Sequence, residues 1–166
     1  MDKLWAPWRI DYVQGKKKKG CIFCSASKDR AGSADGVVFK TPHSVCMLNI
    51  YPYNNGHLMV APMRHVKYFS KLSDGELLDL MRSVEKARSL LDAAIKPGGY
   101  NIGVNMSAVA GAGIPGHLHV HIVPRWKGDT NFMPVIGRTK VISQSLEQLL
   151  KLLKNAHAGT HKRIRK

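Results

Sequence analysis

From Val37 the apolar residues fall into short runs, Val37-Val38-Phe39 and then Val45 to Ile50, which predict two neighbouring strands. Tyr51-Pro52-Tyr53-Asn54-Asn55-Gly56 is a turn by composition, since Pro and Gly set or free the backbone and Asn bonds locally. His57-Leu58-Met59-Val60 is the next predicted strand, stopped by Pro62. Ser73-Asp74-Gly75-Glu76 has the form of a capping box, and beyond it Leu77, Leu78, Met81, Val84, Leu91 and Ile95 recur at helical spacing. Pro97-Gly98-Gly99 ends that helix. Tyr100 to Val104 reads as a strand, Asn105 to Gly116 as a glycine-rich loop, and His117 to Val123 as a strand closed by Pro124. Leu146, Leu149, Leu150 and Leu153 mark a second amphipathic helix over residues 143–155. Strands on both sides of one long helix, with hairpin-length links early on, predict an α+β fold with a mainly antiparallel sheet.

Residues 1–35 show neither period and read as an irregular N-terminal segment. Residues 36–154 form the predicted folded domain, and 155–166 a basic tail. A length of 166 residues suits one domain that buries roughly two-thirds of its unfolded surface. The 26 basic and 11 acidic side chains leave a net charge of +15, which predicts an anionic partner. Much of that charge sits in Lys16 to Lys19 and in Lys162, Arg163, Arg165 and Lys166. Such runs are solvated ends or a nucleic-acid surface. The chain lacks zinc-finger histidine spacing, the aromatic RNA-recognition signature and a helix-turn-helix, so nothing else supports nucleic acid. Three cysteines make no disulfide scaffold. The start, Met1-Asp2-Lys3-Leu4-Trp5, lacks the order of a secretory signal, and no apolar run has the length of a membrane span. A cytoplasmic protein without a membrane partner is expected.

The segment His117-Leu118-His119-Val120-His121-Ile122-Val123 carries the chemistry. In a strand its three histidines share one face and Leu118, Val120 and Ile122 the other, so the apolar face packs on the long helix while imidazoles line a cleft. Such a set is a metal site or a nucleophile with its neighbours. No Asp or Glu stands between Asp92 and Asp129 to serve a metal's outer sphere, and the preceding glycine-rich loop offers backbone N–H groups to an anion. An imidazole attacks phosphorus and then leaves well, dividing one hard displacement into two easier ones. Phosphoryl or nucleotidyl transfer follows.

His117-x-His119-x-His121 with Ile122-Val123 resembles the signature of the histidine triad family of nucleotide hydrolases and transferases. Asn49, Asn55-Gly56-His57-Leu58-Met59-Val60-Ala61-Pro62 and His65 resemble the family's upstream half-site, so the resemblance spans roughly residues 21–135. Leu4-Trp5-Ala6-Pro7-Trp8-Arg9, Cys21-x-x-Cys24, Gly111-Ala112-Gly113-Ile114 and Pro124-Arg125-Trp126-Lys127-Gly128-Asp129-Thr130-Asn131-Phe132 are similar to the bacterial diadenosine tetraphosphate phosphorylase and hydrolase-like branch. The resemblance implies a five-stranded sheet and a homodimer joining two sheets. It makes His119 the nucleophile, flanked by His121 and His117 and supported by His57. Asn49 would bond the ribose hydroxyls, although a strand-end Asn also satisfies a turn. Asn105 and the backbone around Gly113 would meet the phosphates. Many members carry Gln, Ser or Thr just before the triad where this chain has Gly113-Ile114-Pro115-Gly116, which leaves protonation of the leaving group unassigned.

Cys21-x-x-Cys24 is half a zinc site by spacing, or else a reduced thiol pair, and Cys46 in its apolar strand reads as a buried small hydrophobe. The resemblance nominates His65 and His117 as the other ligands of a structural zinc. His117 cannot then be a free catalytic imidazole, and the ligand role is favoured because two thiolates leave a metal under-coordinated. No organic cofactor is implied. Trp126 and Phe132 offer rings to stack on a base or on a partner subunit, and Met47, Leu48 and Ile50 to wall a base pocket or fill a core strand. The expected activity is cleavage of dinucleoside polyphosphates at the α-phosphate through a nucleotidyl-histidine. A nucleoside phosphoramidase and a non-catalytic nucleotide- or nucleic-acid-binding protein are the alternatives.

Overall fold

The computed structural model describes residues 20–29, 36–130 and 141–164, with side chains to residue 159. Five strands, β1 (Val37–Lys40), β2 (Ser44–Leu48), β3 (Leu58–Pro62), β4 (Gly99–Gly103) and β5 (Val120–Arg125), form one sheet in the order β1-β2-β3-β5-β4. Every neighbouring pair is antiparallel, as expected of an α+β chain. Three helices accompany them among the described residues: α1 (Ile22–Lys28), α2 (Asp74–Ile95) and α3 (Leu146–Ile164).

The sheet has two covered faces. Cys46, Leu48, Leu58, Val60, Val120 and Ile122 meet Leu80, Val84 and Leu91 of α2 and Leu149 and Leu153 of α3 in the larger core. On the opposite face Val45, Met47, Met59 and Ala61 lie under Phe23 and Ala26 of α1. Alternation along each strand separates the two sets. Leu48 therefore belongs to the core under the helices, while Met47 faces the other way and Ile50 is exposed.

The capping box forms as the sequence predicts: Glu76 N–H donates to Ser73 Oγ at 3.3 Å, and Ser73 N–H donates to the Glu76 carboxylate at 2.9 Å. Arg64 grips the same carboxylate and holds it well below the usual carboxylate range, at about 2. Lys96 turns left-handed at φ 46° and ends α2 just before Pro97.

Several boundaries differ from the sequence expectation. The N-terminal segment contains the short helix α1, too brief for periodicity to reveal. Helix α3 runs to Ile164 instead of ending near 155; the apolar period stops there but no Pro interrupts the backbone. Strand β2 ends at Leu48, because Asn49 Oδ1 accepts the Tyr51 N–H at 2.9 Å and turns the chain. Pro62 is the last residue of β3, a position that tolerates it. Strand β5 begins only at Val120, since Leu118 N–H goes to Val66 O at 2.6 Å and lies outside the ladder.

Pro124 sits inside β5 for a geometric reason. Arg125 O accepts Gly98 N–H at 2.8 Å and so faces β4, which turns the backbone groups of Pro124 toward the β3 side. Pairing with β3 reaches only Ile122, so no ladder bond is lost to the missing N–H.

Gly56 adopts φ +79°, and a Cβ there would lie 2.6 Å from Ile95 Cδ1 and 2.9 Å from Pro124 Cγ. Strain and overpacking should together make Gly56→Ala less stable by at least about 2 kcal/mol. Chemical denaturation measures this; a loss below about 0.5 kcal/mol would mean that the turn accommodates a side chain.

Candidate active site and metal centre

Antiparallel pairing of β3 with β5 sets Met59 opposite His121 and Val60 opposite Val120. Residues of odd number on both strands therefore share the face that α1 covers. His57, His117, His119 and His121 are all buried, with 1 to 7% of each exposed. They separate into two groups. The His119 and His121 rings lie 4.8 Å apart and those of His57 and His121 5.1 Å apart, whereas His117 packs beside His65 at 4.9 Å.

Hydrogen bonds to groups of known polarity fix the neutral tautomers. His119 Nδ1 is 2.8 Å from His117 O, which can only accept, so Nδ1 holds the proton and Nε2 keeps a bare lone pair. His57 Nδ1 accepts the Tyr53 N–H at 3.0 Å, with Asn49 Nδ2 at 3.3 Å. The His57 proton is then on Nε2, which donates to His121 Nδ1 at 2.9 Å. That places the His121 proton on Nε2, a buried atom with no partner among the described residues. Burial, reinforced by neighbouring imidazoles, pushes His57 down to about 3 and His121 down to about 4. At neutral pH His121 is thus an unpaired N–H donor, and the neutral tautomer of His119 sets a lone pair beside it.

The other sequence-predicted residues are distributed unevenly. Asn49, half-buried at the end of β2, makes the strand-end turn and also touches the histidine cluster. Asn105 and Gly113 lie in the loop before the triad, half-buried and exposed respectively; neither bonds to the imidazoles among the described residues. The space around the Gly113 Cα is open. Trp126 lies in the turn after β5, whereas Phe132, Trp5, Trp8 and Lys16 to Lys19 are outside the described residues. Sequence reasoning passed over Tyr53, whose ring lies 4.6 Å from that of His57 and stacks on that of His121 at 5.5 Å. An aromatic four residues before the histidine of a Gly-His pair was the only signal for it.

Cys21, Cys24, His65 and His117 form the second group, with their donor atoms all within 4.8 Å of one another. Cys21 Sγ lies 3.2 Å from His117 Nδ1, Cys24 Sγ 3.2 Å from His65 Nδ1, and Cys24 Sγ 3.6 Å from His117 Nδ1. Tetrahedral zinc bonded to sulfur and nitrogen would set such edges near ~3.5 Å, so the four donors fit one. His117 Nε2–H donates to Pro62 O at 2.9 Å, which leaves the Nδ1 lone pair facing the thiols as a ligand requires. Cys46 lies elsewhere, in the core under α2, where burial pushes its thiol pKa up. Phe23 joins the two groups: it is fully buried, and its ring lies 5.1 Å from His117 and 4.9 Å from His119.

Comparison with known proteins gives a consistent result. The HIT domain family matches residues 31–128. An AP-4-A phosphorylase of Mycobacterium tuberculosis is 38% identical over 161 residues, covering 92% of this chain and 83% of the relative. Among solved structures, a hypothetical histidine triad nucleotide-binding protein from Sulfolobus tokodaii superposes with a TM-score of 0.65 at 28% identity, covering 82% of this chain and 91% of that one. A zinc-bound histidine triad family protein from Mycobacterium smegmatis also gives 0.65, at 24% identity over 87% of this chain and 97% of that one, a likeness of fold.

The buried imidazoles make stability depend on pH. Between about 6.5 and 4 the unfolded chain takes up protons that folded His57 and His121 refuse, so their contribution is full above 6.5 and falls as the pH is lowered. The expected slope approaches about 1.4 kcal/mol per pH unit for each imidazole. Denaturation of chelator-treated protein from pH 7 to 4 tests this apart from any metal, and a flat profile would contradict the burial argument.

Proposed function

The chain belongs to the HIT domain family, and from that premise we propose that it cleaves dinucleoside polyphosphates of the diadenosine tetraphosphate class at the α-phosphorus. The observation that carries this reading is the lone pair on His119 Nε2, held by the Nδ1 bond to His117 O beside the unpaired His121 Nε2–H. In the proposed reaction His119 Nε2 attacks the α-phosphorus in line, the P–O anhydride bond breaks, and the electron pair leaves with the distal polyphosphate. A nucleotidyl-imidazole remains. Attack by an acceptor on phosphorus returns the electron pair to His119 and releases the nucleotide. The name of the mycobacterial relative favours inorganic phosphate over water as that acceptor.

His121 Nε2–H would bond an oxygen of the α-phosphate, where charge builds as the nucleophile attacks. His57 supports it from the position just before β3. Asn49 would bond the ribose, and Asn105 with the backbone at Gly113 would meet the phosphates. The open space at Gly113 suits close backbone approach to a polyphosphate. His117 is assigned to zinc with Cys21, Cys24 and His65, because its free nitrogen points at the thiols. Zinc would supply cross-linking there: Cys21 and Cys24 of the α1 region would be tied to His65 after β3 and His117 before β5, which would keep Phe23 against His119. No organic cofactor enters the reaction.

A second copy of the chain would extend the sheet at β4, whose outer edge has no strand partner among the described residues and exposes Ile102. A homodimer fits that edge. No helix among the described residues is long and apolar enough to cross a membrane. Thiolate ligands and a nucleotide substrate fit the reducing cytoplasm.

His119→Ala should lower turnover of diadenosine tetraphosphate by about three to six orders of magnitude and abolish the covalent adenylyl adduct in mass spectra. Undiminished turnover would remove the mechanism. ADP and ATP formed only with phosphate identify a phosphorylase, whereas AMP and ATP formed from water identify a hydrolase. Elemental analysis should find one zinc per chain in protein purified without added metal, reduced in Cys24→Ser and His65→Ala. Absence of zinc from the wild-type protein would discard the four ligands.

A further inference from the structure

The turn after β5 carries an ion pair that the proposed reaction does not use. Asp129 Oδ2 accepts from Arg125 Nε at 2.6 Å, from Asn54 Nδ2 at 2.8 Å and from the Trp126 N–H at 3.1 Å; Oδ1 accepts from Arg125 Nη2 at 2.8 Å. Asn54 is only 6% exposed and belongs to the distant turn between β2 and β3. Its Nδ2 also donates to Pro124 O at 3.0 Å, the carbonyl left without a ladder partner because β3 begins only at Leu58, opposite Ile122. Asn54 O in turn accepts the His57 N–H at 3.2 Å, and the adjoining Tyr53 N–H is the donor that decides where the His57 proton resides.

These contacts form one continuous path from a carboxylate to the histidine cluster. We infer that Asn54 and Asp129 act as a positioning latch: they hold the turn so that Tyr53 N–H meets His57 Nδ1, and thereby make His121 present an N–H to the phosphate. The consequence is one of sign. Were the Tyr53 N–H to move away, His57 could carry its proton on Nδ1 and accept at Nε2. His121 would then donate from Nδ1 and turn a bare Nε2 lone pair toward an anion. A donor would become a repulsive acceptor with no change in net charge. Neither Asn54 nor Asp129 touches the reacting atoms; both act through His57. Asn49 Nδ2 approaches the same nitrogen at 3.3 Å and adds to the same tautomer.

The effect on turnover rests on the proposed reaction, but the tautomers do not. Nitrogen-15 spectra of the histidine-labelled full chain should show His57 and His121 each protonated at Nε2 and bare at Nδ1. In Asn54→Ala and Asp129→Ala that pattern should give way to mixed tautomers. The value of kcat should fall roughly 10- to 100-fold, the size expected of a small misplacement, with KM within about threefold of wild type. Asp129→Asn, which keeps an oxygen for Asn54, should recover kcat to within about threefold. Should the alanine variants fail to fold, Asn54→Ser, too short to reach Asp129, carries the same expectation. Wild-type tautomers in a folded Asn54 variant, a loss confined to KM, or an Asp129→Asn as impaired as Asp129→Ala would each overturn the latch. Absence of turnover in the wild type would instead sink the proposed reaction, and the histidine spectra would still judge the latch.

Discussion

Register between β3 and β5 is the constraint from which the rest follows. Met59 faces His121 and Val60 faces Val120, so one side of the central pair is apolar toward α2 while the other gathers His57, His119 and His121 under α1. A slip of β5 by one residue would send Val120 and Ile122 into the cluster and drive His121 into the hydrocarbon core. Burying several apolar side chains opposes that slip, each worth about 1.5–3 kcal/mol. The helical core therefore maintains the histidine geometry from the far side of the sheet, without contributing an atom to it.

Within that frame the backbone sorts four buried histidines into different tautomers. His117 gives its Nε2 proton to Pro62 O and turns Nδ1 to the thiols; His119 gives its Nδ1 proton to His117 O and keeps Nε2 free. Two residues of the same type, with one residue between them, thus offer opposite ring nitrogens to different partners. The departure of His117 to His119 from the β5 ladder helps to make this possible, because a regular strand would commit the His117 carbonyl to a neighbouring strand. Phe23, set between Cys21 and Cys24 in sequence and packed on both rings, couples the Cys-His cluster mechanically to His119.

Legibility in the sequence followed the range of the interaction. Period-two histidines and the Ser73–Glu76 box are local patterns that the structure reproduces. The apolar face expected of α2 is only half met: Val84 and Leu91 are buried, but Leu77, Leu78 and Met81 are exposed and Leu80, Ala87 and Leu90 pack in their place. Cys21-x-x-Cys24 announced half of a candidate metal site, but only the fold brings His65 and His117 to it. Pro124 lies inside β5 because a proline stops a strand only where its missing N–H would have met a neighbour, and that depends on where β3 begins. The helical backbone to Ile164 was hidden because the apolar spacing lapses before the helix does. Tautomers and the Asn54–Asp129 contact join residues far apart in the chain, so no window of sequence contains them.

Net charge and site charge work on different scales. At +15 the chain attracts polyanions over the several ångströms that salt leaves unscreened. Inside the cluster the proposed reaction would demand the reverse. A cationic His121 beside His119 would draw the electron pair back from the nucleophile and oppose the positive charge that the ring gains on attack. Burial keeps His57 and His121 neutral, so in the proposed reaction a phosphate would meet an oriented N–H dipole and not a full charge. A dipole reverses when one proton changes nitrogen, whereas a charge does not. A site that relies on neutral imidazoles therefore depends on distant hydrogen bonds that fix each tautomer, and the backbone carbonyls of Pro62 and His117 and the N–H of Tyr53 do that here.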